Sequence, residues 1–252
     1  MNMKKNSLFS IVILMCFSQF ANAAEETPTE TELTTMKERN IVIIGASYAR
    51  SWPLQQVECL KVVNKSKDGE QSSEVNQRFE KDAFESDPEA VIIWGFINDL
   101  HRSPKEDIDK TKEIAKKNMM SMVEATLANN KIPVLATEVT LGISEGLKWK
   151  IMSFIGKLRG KVSYQEFINS NVLSINNWMR EYAKEKGLLI LDIEKVLTNK
   201  KGNRKEGFAQ IDGSHITESA YAAITREMTP VLETGLVNRN ALCNSVAANQ
   251  EN

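Results

Sequence analysis

Apolar positions in this chain fall into two patterns, short bounded runs and longer stretches with helical period, and the two alternate. Ile41-Val-Ile-Ile44 is a β-branched run that reads as a buried strand, closed by Gly45-Ala-Ser47. Ser51, before Trp52-Pro53, reads as the N-cap of a helix over Trp52–Cys59, and Leu60-Lys-Val-Val63 as a short strand. Asn64-Lys-Ser-Lys-Asp-Gly-Glu70 is turn chemistry, with Gly69 where the backbone needs freedom or close approach. A helix is expected over Glu74–Phe84. Ala90-Val-Ile-Ile-Trp94 is the clearest buried strand and ends in Gly95-Phe-Ile-Asn-Asp99.

The second half continues the alternation. A helix is predicted over Asp107–Asn129, with Ile114, Met119, Met122, Val123 and Leu127 along one face. Ile132-Pro-Val-Leu-Ala-Thr137 is the next strand, its proline placed early, where a missing N–H is tolerated. Residues 140–165 have no clear period and read as an insertion, a helical hairpin over one end of the sheet. Tyr164–Lys186 is helical and stops at Gly187, and Leu188-Leu-Ile-Leu191 is the last strand. Lys195–Glu206 reads as a solvated basic loop, and Thr217–Leu232 as the closing helix. Strands and helices alternating at this spacing imply a three-layer α/β/α, doubly wound domain around a five-stranded parallel sheet, with right-handed crossovers.

Composition refines the picture at the ends. Lys4 and Lys5, the apolar stretch from Leu8 to Phe20, and Ala21-Asn-Ala23 have the form of a Sec signal peptide cleaved after Ala23. Residues 24–39 are a polar, acidic leader, residues 40–237 the folded domain, and residues 238–252 a frayed tail. With 252 residues and 42% hydrophobic content, one domain with a sizeable core is expected. The address is periplasmic or secreted, with no stable membrane insertion after cleavage. Without Lys4 and Lys5 the 32 basic residues become 30 against 33 acidic, a net charge of about −3. That balance gives no sign of a nucleic-acid or anionic-membrane partner. Cys59 and Cys243 either form one disulfide or stay as two buried thiols.

Candidate chemistry follows from placement. Ser47, Gly69 and Asn98 each follow a predicted strand, and in a parallel sheet those C-terminal ends share one edge, where open α/β folds build their sites. Of the two histidines, His215 has Asp212 three residues before it to orient its ring, whereas His101 has only Asp99 close by and either lines the pocket or, as the favoured reading, is exposed loop.

These residues resemble a known family. Gly45-Ala-Ser47, Val63-Asn64 with Gly69-Glu-Gln-Ser-Ser, Gly95-Phe-Ile-Asn98-Asp and Asp212-Gly-Ser-His215 are similar, in order, to the four sequence blocks of the SGNH/GDSL hydrolases, over residues of about 41 to 235. The resemblance implies a flavodoxin-like fold and a serine mechanism on esters, thioesters or O-acetyl groups. It implies Ser47 as nucleophile, His215 as general base and Asp212 as its orienting acid. Gly69, through its N–H, and Asn98, through its side-chain amide, would join the Ser47 N–H as oxyanion donors. The first block departs from the family, reading Gly-Ala-Ser-Tyr where Gly-Asp-Ser-Leu is usual, and the glycine block is unusually charged.

The function expected is a serine esterase acting on a small-molecule or carbohydrate ester. The alternatives are acyl transfer from the same acyl-enzyme and a non-catalytic module that binds an acylated glycan. No cofactor and no metal are expected, because no cluster with ligand spacing and no phosphate-binding glycine loop occurs.

Overall fold

The computed structural model describes residues 39–142, 162–200 and 202–236. The expected signal peptide, the expected leader up to residue 38, most of the 140–165 insertion and the tail from residue 237 lie outside the described residues. Strand β1 (Asn40–Gly45) sits at the centre, buried at every position. The five expected parallel strands are present in the order β3 (Leu60–Asn64), β1, β4 (Ala90–Trp94), β5 (Ile132–Ala136) and β6 (Leu189–Leu191). The chain leaves β1 for β3 on one side and returns to β4 on the other, so the strand order switches at the C-terminal end of β1.

A sixth strand was not expected. Gln56–Val57 forms β2 and pairs antiparallel with β3 at the sheet edge, through a turn in which Glu58 has φ 50. The predicted helix over Trp52–Cys59 is therefore absent. Pro53 disfavours the helical region for Trp52, and Trp52, Leu54 and Val57 are buried between exposed neighbours. The helix lies earlier, as α1 (Ser47–Arg50), and Ser51 is its C-cap rather than the N-cap of a later helix.

The core is built as the apolar runs dictate. Ile41, Val42, Ile43 and Ile44 are fully buried and pair in register with Ala90 to Ile93 of β4. Each such side chain contributes roughly 1.5–3 kcal/mol by burial. Gly45 is required by contact: a Cβ there would lie 1.7 Å from Trp94 O, so β1 and β4 close together just before the candidate serine. Pro133 costs β5 little, because pairing with β6 starts only at Val134.

Helices cover both faces of the sheet. On one side α2 (Ser72–Phe84) packs on α4 (Ile108–Ala128), which packs on α5 (Tyr164–Lys186). In α4 the buried stripe is Ala115, Met119, Met122, Val123 and Thr126. Ile114 and Leu127, predicted on that face, are 43% and 50% exposed, since they lie beyond the two edges of the stripe, by about 80° and about 40° around the helix. Helix α5 starts on a Ser163/Glu166 capping box and ends, as expected, at left-handed Gly187. The short helices α3 (Ile97–Arg102) and α6 (Ile193–Leu197) follow β4 and β6, and α7 (Glu218–Leu236) closes the fold against α6, β2 and β6. Among the described residues no helix is long and apolar enough to cross a membrane.

Candidate active site

Ser47 is the first residue of α1, reached directly from β1 through Ala46. As N1 of a helix its N–H has no intrahelical acceptor, and Ser47 Oγ hydrogen-bonds to no described residue. The loop after β3 is tied to the same strand end: Lys65 N–H donates to Ile43 O at 2.8 Å and Lys67 N–H to Gly45 O at 3.0 Å. Asn64 Nδ2 donates to Ala49 O at 2.9 Å, which fixes this loop to α1. Gly69 then turns with φ +74, a left-handed conformation that favours glycine, and its N–H donates to no described group.

Asn98 lies on α3, beyond β4. Its Nδ2 donates to Glu70 O at 2.9 Å, which sets the amide beside Gly69 and leaves its second hydrogen free. Two further contacts hold α3 against the start of α2. Asp99 accepts from Ser72 N–H at 2.7 Å and Ser72 Oγ at 2.6 Å, and Arg102 Nη2 donates to Gly69 O at 2.6 Å. Burial pushes the Asp99 carboxyl above the usual carboxylate range, against these hydrogen bonds. Asp99 thus braces α2 and does not orient His101.

The Asp212-Gly-Ser-His215 segment forms a tight turn. Asp212 Oδ2 lies 2.6 Å from His215 Nδ1, and Asp212 Oδ1 accepts from the N–H of Ser214 at 2.9 Å and of His215 at 3.0 Å. Partial burial works to raise the Asp212 carboxyl, but the His215 ring and the two N–H groups hold it below its usual range. An ionised Asp212 on Nδ1 fixes the tautomer that leaves His215 Nε2 as acceptor. The pair is half exposed, and no hydrogen bond joins His215 to Ser47 among the described residues. Tyr48, next to Ser47, reaches this turn: its ring meets the His215 ring edge-on at 6.2 Å, and its hydroxyl donates to Ser214 O.

The structure thus places Ser47, Gly69 and Asn98 on one sheet edge and joins the Asp212–His215 turn to Ser47 through Tyr48. His101 departs from expectation. It sits on α3, half-buried, with Nδ1 2.7 Å from the Tyr164 hydroxyl, and burial lowers its pKa. The basic loop also departs. Thr198 bridges Arg204, and Arg204 is only 5% exposed because its guanidinium finds the carbonyls of Thr140, Ser214 and His215. Two depressions of about 450 and 510 Å³ lie beside α6–α7 and at the start of β5; neither is lined by Ser47, Asn98 or His215. The site assignment therefore rests on side-chain chemistry, not on concavity.

Sequence reasoning missed Glu138. It is fully buried just past β5, and its carboxylate accepts from the N–H of Phe96 at 3.1 Å, Ile97 at 3.4 Å and Val139 at 3.1 Å. Burial pushes this carboxyl above its usual range while the N–H groups favour its ionised form. It fixes the entry to α3 and hence Asn98. The available signal was a lone acidic residue inside the otherwise uncharged run Ile132–Leu141.

A family model for the GDSL-like lipase/acylhydrolase family matches residues 45–223, a span that contains Ser47, Gly69, Asn98, Asp212 and His215. The chain belongs to that family. It is a GDSL-like esterase of the α/β type, and solved structures, three of which follow, share its fold at low identity. A protein assigned to the lipolytic G-D-S-L family from Desulfitobacterium hafniense DCB-2 is 22% identical with a TM-score of 0.58, over 77% of this chain and 99% of its own. A GDSL-like lipase from Bacteroides thetaiotaomicron is 18% identical with a TM-score of 0.58, over 81% and 90%. A variant of the acetyl-xylooligosaccharide esterase Axe2 from Geobacillus stearothermophilus is 17% identical with a TM-score of 0.52, over 78% and 96%. No curated protein sequence matches the chain. Among the described residues of this GDSL-like esterase no cluster of three or more His, Cys, Asp or Glu could hold a metal ion. Cys59 is disulfide-bonded, while Cys243 lies outside the described residues.

Proposed function

We propose that this esterase cleaves carboxylic esters, of short acyl chains or of O-acetylated carbohydrate, through an acyl-enzyme on Ser47. His215 Nε2 takes the Ser47 hydroxyl proton as Oγ attacks the ester carbonyl. The negative charge that develops on the carbonyl oxygen is met by the N–H of Ser47, the N–H of Gly69 and Asn98 Nδ2. His215 then gives its proton to the departing alcohol. Water, deprotonated by the same imidazole, releases the carboxylic acid and restores Ser47. Asp212 holds the ring and stabilises the imidazolium without taking the proton.

The observation that carries this reading is the Asp212–His215 pair, 2.6 Å apart, tied through Tyr48 to a serine whose own N–H and hydroxyl are unpartnered among the described residues. The carbohydrate O-acetyl option is supported by the substrate named for one structural neighbour, an acetyl-xylooligosaccharide esterase. Lys4, Lys5 and the apolar run to Phe20 support export to the periplasm or beyond.

The test is hydrolysis of p-nitrophenyl esters from acetate to octanoate, with and without added sugar, by the mature protein and by Ser47→Ala. Short-ester activity lost in Ser47→Ala supports the reading. Acyl sugar formed in place of free acid would make the enzyme a transferase. Equal rates in both proteins would remove Ser47 from the mechanism.

A further inference from the structure

The Asp212–His215 turn has no helix or strand of its own, yet a general base must stay within about 2.6–3.2 Å of the proton it takes. Backbone bonds tie the turn to its own loop and to Gly142, with Gln210 N–H on His215 O at 2.8 Å and Gly142 N–H on Gly213 O at 2.7 Å, and one carbonyl ties it to the neighbour of Ser47. Ser214 O accepts from Tyr48 Oη at 2.7 Å and from Arg204 Nη1 at 2.6 Å, so a phenol and a cation fill both of its lone-pair positions. Tyr48 follows Ser47 in the chain and Ser214 precedes His215, so the bond from Tyr48 Oη to Ser214 O, with a longer contact of 3.4 Å to Ser214 Oγ, links the neighbour of the nucleophile to the neighbour of the base.

Both donors are themselves fixed. Tyr48 is buried, its ring lies edge-on to the His215 ring, and Tyr221 Oη from α7 donates to its backbone oxygen at 3.0 Å. Arg204 is buried as well, and also donates to His215 O at 3.1 Å and to Thr140 O just past β5. The tyrosine stands where the G-D-S-L pattern has leucine, a side chain that cannot donate a hydrogen bond.

We propose that Tyr48 and Arg204 are positioning residues that clamp the Ser214 carbonyl and so set the alignment of Ser47 against His215. The proposal rests on the acyl-enzyme reading above. It makes Tyr48→Phe the informative variant: the ring and its packing stay, and Ser214 O keeps its bond to Arg204, so the fold is spared. Asp212 and His215 share one turn, so their mutual hydrogen bond survives the change while the approach of His215 to Ser47 loosens. Displacements of this kind cost about 10- to 100-fold in rate.

The experiment measures kcat and KM on p-nitrophenyl acetate, the thermal midpoint, and the downfield proton resonance of the Asp212–His215 hydrogen bond. The variants are Tyr48→Phe, Arg204→Met, Arg204→Lys and Ser47→Ala. The clamp requires that Tyr48→Phe lose about 10- to 100-fold in kcat with KM, midpoint and resonance nearly unchanged. Arg204→Lys, which keeps a cationic donor, must recover part of what Arg204→Met loses. A Tyr48→Phe kcat within about twofold of the parent, with Ser47→Ala inactive, overturns the clamp alone. Loss of the resonance or of folded protein in step with activity also overturns it, because the residue would then be structural. Activity surviving in Ser47→Ala overturns the acyl-enzyme reading and the clamp together.

Discussion

Asn98→Ala separates catalysis from folding, because the amide has two jobs of different size. One Nδ2 hydrogen goes to Glu70 O at 2.9 Å, a part-buried neutral hydrogen bond. Its loss costs the fold about 0.5–1.5 kcal/mol. Helix α3 stays docked, because Asp99 still accepts from Ser72 N–H and Oγ, Arg102 still donates to Gly69 O, and Glu138 still holds Phe96 and Ile97. The other hydrogen meets the oxyanion only as it forms, and removing one such donor typically costs about 10²–10³ in kcat, roughly 2.7–4 kcal/mol. The variant should therefore melt within a few degrees of the parent but turn over p-nitrophenyl acetate two to three orders of magnitude more slowly (~10²–10³) with little change in KM. Asn98→Asp should be no better, since a carboxylate repels both Glu70 O and the oxyanion. A kcat for Asn98→Ala within about threefold of the parent would refute the oxyanion role.

Three other outcomes are expected. Asp212→Asn keeps the size of the side chain but favours the wrong imidazole tautomer, and should lower kcat by roughly 10³–10⁴ in steady-state assays while the protein stays folded. Glu138→Gln offers one acceptor oxygen and two buried donors where three N–H groups need a carboxylate; it should lower stability by about 1–3 kcal/mol in urea denaturation. Burial holds His101 below the usual imidazole range, so as pH falls the unfolded chain takes the proton first. Its contribution is complete above the unfolded histidine value and is lost as pH falls through the lower folded value. Urea midpoints from about pH 8 to pH 5 should fall more for the parent than for His101→Gln, and equal losses would contradict this.

The parts of this molecule legible in the sequence are those set by local pattern. Ile41–Ile44 and Ala90–Trp94 are buried parallel strands because a run of apolar residues with no polar face has nowhere else to go. Asp212 and His215 pair across three residues, so their turn is readable from the chain. The stretch Trp52–Cys59 misled because its composition suits a helix, while the pleat of an edge strand and the Trp52-Pro53 step decided its shape. Tyr48, Glu138 and Arg204 were not legible as partners of the site. Tyr48 meets Ser214 across 166 residues, Phe96 meets Glu138 across 42, and Arg204 meets Thr140 across 64. A basic loop looks solvated until the fold supplies carbonyls to one of its arginines.

The central claim is that Ser47 is a nucleophile activated by His215. The most direct measurement is intact-mass and peptide analysis after treatment with a fluorophosphonate probe, on the parent, Ser47→Ala and His215→Ala. One covalent adduct on the Ser47 peptide is predicted for the parent, with none in Ser47→Ala and labelling slowed at least about 10³-fold in His215→Ala. An adduct on another residue, or labelling of Ser47 at the parent rate without His215, would contradict the account.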